Sequence, residues 1–138
     1  MLLQEDCPGW LYAVKKGATT IWETWDGIDA EGKPKASLNH YAYGAVAGWL
    51  IRSVCGISQQ QQNITLKPTV LPKLGHARAV YDSPVGRIES GWSCTEDGTV
   101  VYDFFIPVNT KAVFVTTDQR ISLKPGHHTF SIRALPNK

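Results

Sequence analysis

The sequence has little that would commit it to a metal, a nucleic acid or a membrane. Cysteine is sparse: Cys7, Cys55 and Cys94 are odd in number and far apart, and they form neither a CxxC pair nor a metal-ligand spacing with the four histidines. They read as free, mostly buried thiols, so no metal and no cofactor is expected. Positive charge is hardly in excess, with 14 Lys plus Arg against 12 Asp plus Glu and a formal net charge of +2. Beyond Lys15-Lys16 there is no basic cluster, so neither a nucleic acid nor an anionic membrane surface is expected as a partner. The longest apolar-rich run, residues 42–51, is too short and too interrupted for membrane insertion. Met1-Leu2-Leu3 runs straight into Gln4-Glu5-Asp6, which supplies neither the basic nor the apolar region of a secretory signal. No internal repeat is visible.

What is present is the composition of a folded chain. Its 138 residues are 43% hydrophobic and 19% charged, enough for one domain, or one domain with an appendage, around a true core. The texture changes along the chain. Asp6, Pro8-Gly9, the run Trp10–Val14, Lys15-Lys16 and Gly17 predict one short helix. A second is predicted from Tyr43, Val46, Trp49, Leu50 and Val54, capped by Asn39 or Ser37 and ended by Gly56. Residues 28–36, rich in Gly, Asp, Lys and Pro, read as a solvated loop, and residues 59–62, four glutamines in a row, as a polar joint. From Asn63 onward, short segments such as "NITLKP", "ARAVYDS", "GRIESGWS", "TVVYDFFIP", "KAVFVTT" and "HTFSIRA" are separated by Gly, Pro, Asp and Asn. That spacing predicts an antiparallel β-sandwich, jelly-roll-like, in a mainly β protein.

The stretch "TTIWETWDG", residues 19–27, is the least ordinary part. Glu23 stands between Trp22 and Trp25, where partial burial between indoles would suit a carboxylate used as a base. From spacing alone the plainer alternative, an exposed glutamate at a loop entry hydrogen-bonded to a nearby backbone amide, is favoured. In an extended segment, residues three apart alternate faces, so one tryptophan is expected to wall a pocket and the other to belong to the core. Asp26 heads a turn with Gly27 and reads as structural, while His76, His127 and His128 read as surface histidines. Trp10, Trp22, Trp25, Tyr41, Tyr43 and Trp49 crowd the first 57 positions. Two helices and a loop cannot bury that many rings against each other, so either they pack on the sandwich or much of their partner lies elsewhere.

"CPGWLYAVKKGATTIWETWDG", "SLNHYAYGAVAGWLIRSVCGI", "ITLKP" and "ARAVYDSPVGRIESGW", in that order, resemble the C-terminal end of bacterial α-L-rhamnosidases of glycoside hydrolase family 78. The resemblance implies three segments. Residues 1–57 are the last helices of an incomplete (α/α)6 toroid, 58–62 a linker, and 63–138 a C-terminal sandwich. It also implies an inverting hydrolase of terminal α-L-rhamnose, with Glu23 as general base and His40 contacting the sugar, a position the residues alone leave equally open to a helix-capping histidine. An apolar-faced, methyl-bearing sugar would suit an aromatic wall, which makes Trp22 and Trp25 the candidate substrate-binding tryptophans. The sequence departs from the family at Cys7-Pro8-Gly9, where Tyr-Pro-Ser is more usual, and at Thr24, where arginine is common. That second change takes a cation away from Glu23.

The general acid has no counterpart here, since Glu89 and Glu96 fall in the sandwich part, so the chain alone is expected to be inactive. Its implied partners are rhamnose-containing glycosides or polysaccharides and the rest of the catalytic domain, with self-association through the orphaned aromatic face. Cytoplasm, periplasm and secretion all stay open. The rival reading is a free-standing, non-catalytic carbohydrate-binding or structural sandwich. Binding would need Trp92, Tyr81 and Tyr102 exposed on a sheet face, whereas the parity of Trp92 with Ile88 favours the core.

Overall fold

A computed structural model describes residues 2–133, so Met1 and positions 134–138 of the expected spans lie outside the described residues. The chain divides into two compact units, Met1–Ala47 and Gly48–Lys138.

The second unit is a β-sandwich of eight strands: β1 (Ile57–Gln60), β2 (Asn63–Leu66), β3 (His76–Ser83), β4 (Gly86–Cys94), β5 (Thr99–Ile106), β6 (Lys111–Val115), β7 (Arg120–Leu123) and β8 (Gly126–Arg133). They form two four-stranded sheets, ordered β1-β2-β6-β7 and β3-β4-β5-β8. Strand alternation decides which side chains meet between them. Ile57, Ile64, Leu66, Ala112, Phe114 and Leu123 come from the first sheet and Ile88, Phe104 and Ile106 from the second, all buried in one cluster. The Phe104 and Phe114 rings meet edge to face at the centre, with centroids 4.8 Å apart.

The pairings are antiparallel, as expected, with one exception: β2 lies parallel to β6, Asn63 opposite Lys111 and Leu66 opposite Phe114. The chain between these two strands passes through β3, β4 and β5 of the other sheet, and such a crossover imposes none of the reversal that a tight hairpin does. A second correction concerns residues 58–62. They are no free joint: Ser58, Gln59 and Gln60 pair with Thr65, Ile64 and Asn63 in β1–β2, and Gln61 turns the chain at φ 52°. Buried Ile57 anchors this otherwise polar strand. β7 likewise falls where no strand is predicted, its residues 120–123 pairing with β6.

Ahead of β1, the predicted second helix is a composite. A 3-10 turn (Tyr43–Ala45) leads into α-helix over Val46–Trp49 and a π-turn over Leu50–Val54, where the Cys55 amide reaches back to the Leu50 carbonyl at 2.8 Å. Neither Asn39 nor Ser37 caps it, and its preceding residue, Ala42, has no capping side chain. Gly56 does end it, at φ +72°.

In the first unit, α1 (Trp10–Lys15) is the predicted short helix, followed by Gly17 at φ +82°. The segment read as a solvated loop is ordered as the tip of a hairpin. The Asp29 carboxylate accepts from the amides of Glu31 (3.1 Å) and Lys33 (2.7 Å), and Ile28 bridges Pro34.

Candidate functional site

The hairpin of the first unit positions the two polar candidates. From the tip upward, its arms are joined by Asp29 N–H to Lys33 O (2.9 Å), Lys35 N–H to Gly27 O (2.9 Å), Glu23 N–H to Ser37 O (2.9 Å) and His40 N–H to Ile21 O (2.8 Å). The Thr20 hydroxyl adds a bond to the Leu38 carbonyl. Glu23 and His40 therefore leave neighbouring positions of one short ladder, and a rung at each fixes its backbone.

Glu23 is exposed, not enclosed by indoles as its neighbours in sequence suggest. Its Oε2 accepts a hydrogen bond from the Ser37 amide at 3.1 Å, which leaves Oε1 without a partner among the described residues. His40 is half-buried, with its ring stacked on exposed Tyr41 at 5.0 Å between centroids. Its Nδ1 accepts from the Ala42 amide at 3.2 Å, so Nδ1 is unprotonated there and Nε2–H is left as a donor.

The tryptophans occupy a different place. Trp22 is buried, and its ring lies against Gly27, where a Cβ would come within 2.8 Å of Trp22 Cε3. Trp25 is half-buried, stacked on Tyr43 with centroids 3.9 Å apart and planes 18° from parallel, and edge-on to Trp10 at 5.1 Å. The Trp10 indole N–H donates to the Tyr43 carbonyl at 3.3 Å. Both Trp22 and Trp25 line a largely apolar cavity of about 270 Å³ shared with Trp10, Val14, Ile21 and Tyr43. Of the two, Trp22 belongs to the core and Trp25 is half-buried, but they do not take opposite sides. A bend at Glu23 and Thr24 and a turn at Trp25 and Asp26 break the extended alternation, so both indoles reach the same cavity. Neither Glu23 nor His40 lines it.

Sequence reasoning missed three contributors. Ser37, read as a helix cap, presents its main-chain amide to Glu23, and its hydroxyl accepts from the Asn39 amide at 3.2 Å. Lys35 pairs with Asp26 at 2.7 Å, which closes the hairpin and holds the Asp26 carboxyl below the usual range through the hydrogen bond and charge of that lysine. Asp29 forms the tip. An Asx signal, Asp followed by Gly three residues on, was there to be read. Among the described residues, no group of three His, Cys, Asp or Glu is placed to hold a metal ion, and no helix is long and apolar enough to cross a membrane.

The family described as the bacterial α-L-rhamnosidase 6 hairpin glycosidase domain matches residues 1–54, and the bacterial α-L-rhamnosidase C-terminal domain matches residues 56–131. The chain belongs to the bacterial α-L-rhamnosidase family. An α-L-rhamnosidase of Formosa agariphila is 35% identical over 139 aligned positions, covering 95% of this chain and 15% of that protein. Among solved structures, the native α-L-rhamnosidase of Aspergillus terreus superposes with a TM-score of 0.87 at 28% identity, over 98% of this chain and 17% of that one. The Streptomyces avermitilis α-L-rhamnosidase complexed with L-rhamnose gives 0.82 at 27% identity, over 95% and 15%. The chain thus spans about a sixth of the length of the proteins it matches.

Proposed function

We propose that this chain is the C-terminal part of an inverting α-L-rhamnosidase that removes terminal α-L-rhamnose from glycosides, and that Glu23 is its general base. The observation that carries the reading is the match of two rhamnosidase domains, in tandem and in order, over nearly the whole chain. In this reading residues 1–57 supply the last helices of an (α/α)6 toroid. The sandwich, which also takes in β1, braces that toroid.

The chemistry follows from what an inverting glycosidase needs. A carboxylate must take a proton from water on one face of the sugar while an acid protonates the leaving oxygen on the other, the two carboxyls about 6.5–9.5 Å apart. Glu23 has one carboxylate oxygen held and one free, as a base that must orient water requires. His40 Nε2–H would donate to a sugar hydroxyl. Trp22 and Trp25, on the same arm as Glu23, would offer a methyl-bearing deoxy sugar the apolar wall of the cavity they line. The acid would come from the rest of the catalytic domain, and the chain alone would not turn over. Free of that domain, it would self-associate through the apolar cavity, whose rim exposes Val14 and Ile21 at 61% and 38%. A sedimentation profile that stays monomeric at rising concentration would count against this.

The rival carbohydrate-binding reading loses its main candidate. Trp92 is 3% exposed with its indole N–H bonded to the Val54 carbonyl, Tyr102 packs against the core, and of the three only Tyr81 is exposed.

The deciding experiment is Glu23→Gln in the full-length protein containing this chain, assayed on an aryl α-L-rhamnoside. Turnover should fall about 10²–10⁴-fold with the fold unchanged. Proton NMR of the first-formed sugar should show the inverted anomer. Undiminished turnover removes the base assignment, and a retained anomer removes the inverting mechanism.

A further inference from the structure

We infer that the hairpin between residues 20 and 40 is a positioning device for Glu23, acting through the main-chain amide of Ser37. The inference rests on the reading of Glu23 as the base and adds to it a set of residues that touch no substrate. Glu23 is attached to Ser37 twice: its N–H donates to Ser37 O at 2.9 Å, and its Oε2 accepts from Ser37 N–H at 3.1 Å. One attachment fixes the backbone and the other the side chain, so an exposed glutamate that would otherwise sample many rotamers has a single preferred direction. With one lone pair of Oε2 engaged by the Ser37 amide, Oε1 is the oxygen left fully open to receive a proton from water, which favours approach from its side.

The grip depends on register. If the arms slipped by one residue, the Ser37 amide would be replaced by that of Ala36 or Leu38, pointing to the other side. Register is set on both sides of the grip. Towards the tip stand the Lys35–Gly27 rung, the Lys35–Asp26 ion pair at 2.7 Å and the Asp29 turn. Beyond it stands the His40–Ile21 rung at 2.8 Å. Gly27 is buried flat on the Trp22 ring, which keeps the near arm from shifting. Asp26, Asp29, Lys35 and Ser37 are thus positioning residues, and the amide of Ser37 is the point where they act.

Two substitutions at Ser37 separate the amide from the side chain. Ser37→Pro deletes the N–H that holds Oε2 but keeps the carbonyl that accepts from Glu23, whereas Ser37→Ala keeps both. In the full-length protein, on an aryl α-L-rhamnoside, Ser37→Pro should lower kcat by about 10²-fold with KM within a factor of two. Ser37→Ala should stay near the wild-type kcat. Lys35→Ala should lower kcat in the same sense and Lys35→Arg should restore it, which a purely structural lysine would show as a change in unfolding midpoint and not in kcat. If Ser37→Pro fails to fold by circular dichroism, the Lys35 pair decides alone. Wild-type kcat in a folded Ser37→Pro, or in Lys35→Ala where that protein does not fold, overturns the inference. Glu23→Gln in the same series tells the two claims apart. If it turns over normally, the base reading fails and the positioning role goes with it. If it is inactive while Ser37→Pro and Lys35→Ala are unimpaired, only the positioning role fails.

Discussion

Trp92 donates its indole N–H to the carbonyl oxygen of Val54 at 2.9 Å. Two residues earlier on the same face of β4, the buried Ser90 hydroxyl donates to the carbonyl of Cys55 at 2.5 Å. The two bonds satisfy successive carbonyls at the end of the composite helix, where no further turn exists to take them. They explain why a serine sits in the middle of an apolar strand face. Trp92→Phe keeps most of the packing but leaves the Val54 carbonyl unpaired, and should cost about 1–3 kcal/mol in urea unfolding of the chain. Ser90→Ala should cost a similar amount, and Trp92→Ala about 3–5 kcal/mol, because a cavity is added. Neutral behaviour of both Trp92→Phe and Ser90→Ala would mean that water reaches these carbonyls.

Much of the sandwich is legible in the sequence because its strands repeat an apolar residue at every second position: Ile64 and Leu66 in β2, Val100, Phe104 and Ile106 in β5. β1 escapes because "ISQQ" carries a single apolar residue and shows no period, whereas "RISL" of β7 alternates just as "NITL" of β2 does and was there to be read. The parallel β2–β6 pairing leaves no local mark, since the partners are joined through another sheet. The hairpin that carries Glu23 and His40 is hidden for a different reason. Its rungs are main-chain bonds between arms, "TIWETWDG" and "PKASLNH", that share no alternating apolar pattern, and its closure depends on where the carboxylate of Asp29 and the ammonium of Lys35 point. Glu23 stands out in the sequence through its motif, but the amide that holds it does not.

Thr24 offers a second test of local accounting. Its Oγ1 is buried and has no hydrogen-bond partner among the described residues, and it lines the aromatic cavity with Trp22 and Trp25. A buried hydroxyl without a partner costs about 1–3 kcal/mol relative to a satisfied one. Thr24→Val removes the oxygen at nearly constant shape and should raise the unfolding midpoint of the chain, whereas Thr24→Ala should not, since it also removes packing. A lower midpoint for valine would show that the hydroxyl has a partner in solution.

Acid should weaken the sandwich through Glu89. Its carboxylate is held by Arg78, and by Arg87 at 2.9 Å, and the hydrogen bond from Arg78 leads in lowering its pKa below the ordinary 4.5. In the unfolded chain the same group takes up a proton at higher pH. Its stabilising contribution is therefore complete above about 4.5 and is lost as the pH falls through the depressed native value. Arg78 is well exposed, so the effect is modest and should shrink with added salt. Glu89→Gln should flatten the dependence of the urea midpoint on pH below 4.5 and leave the rest of the profile in place. An unchanged acid slope would show that the pair is not formed in solution.

Gly56 and Gly75 share a backbone angle, φ +72°, but not an environment. Around Gly75 nothing lies within 4 Å of where a Cβ would stand, so Gly75→Ala meets only the strain of a left-handed residue. With ψ at −46° that strain is roughly 1–3 kcal/mol. At Gly56 the added carbon would overlap the nitrogen of Pro68 and the carbonyl carbon of Lys67, both main chain, and neither can turn aside as a side chain would. The same approach lets the Lys67 amide donate to the Gly56 carbonyl at 2.9 Å, next to buried Cys55 and Ile57. Gly56→Ala should therefore exceed Gly75→Ala by several kcal/mol, into the range of roughly 4–5 kcal/mol and above that marks severe core damage. Urea unfolding of the two variants side by side decides it. Equal losses would mean that strain alone requires the glycine, and that the chain leaving the composite helix does not press on Lys67 and Pro68.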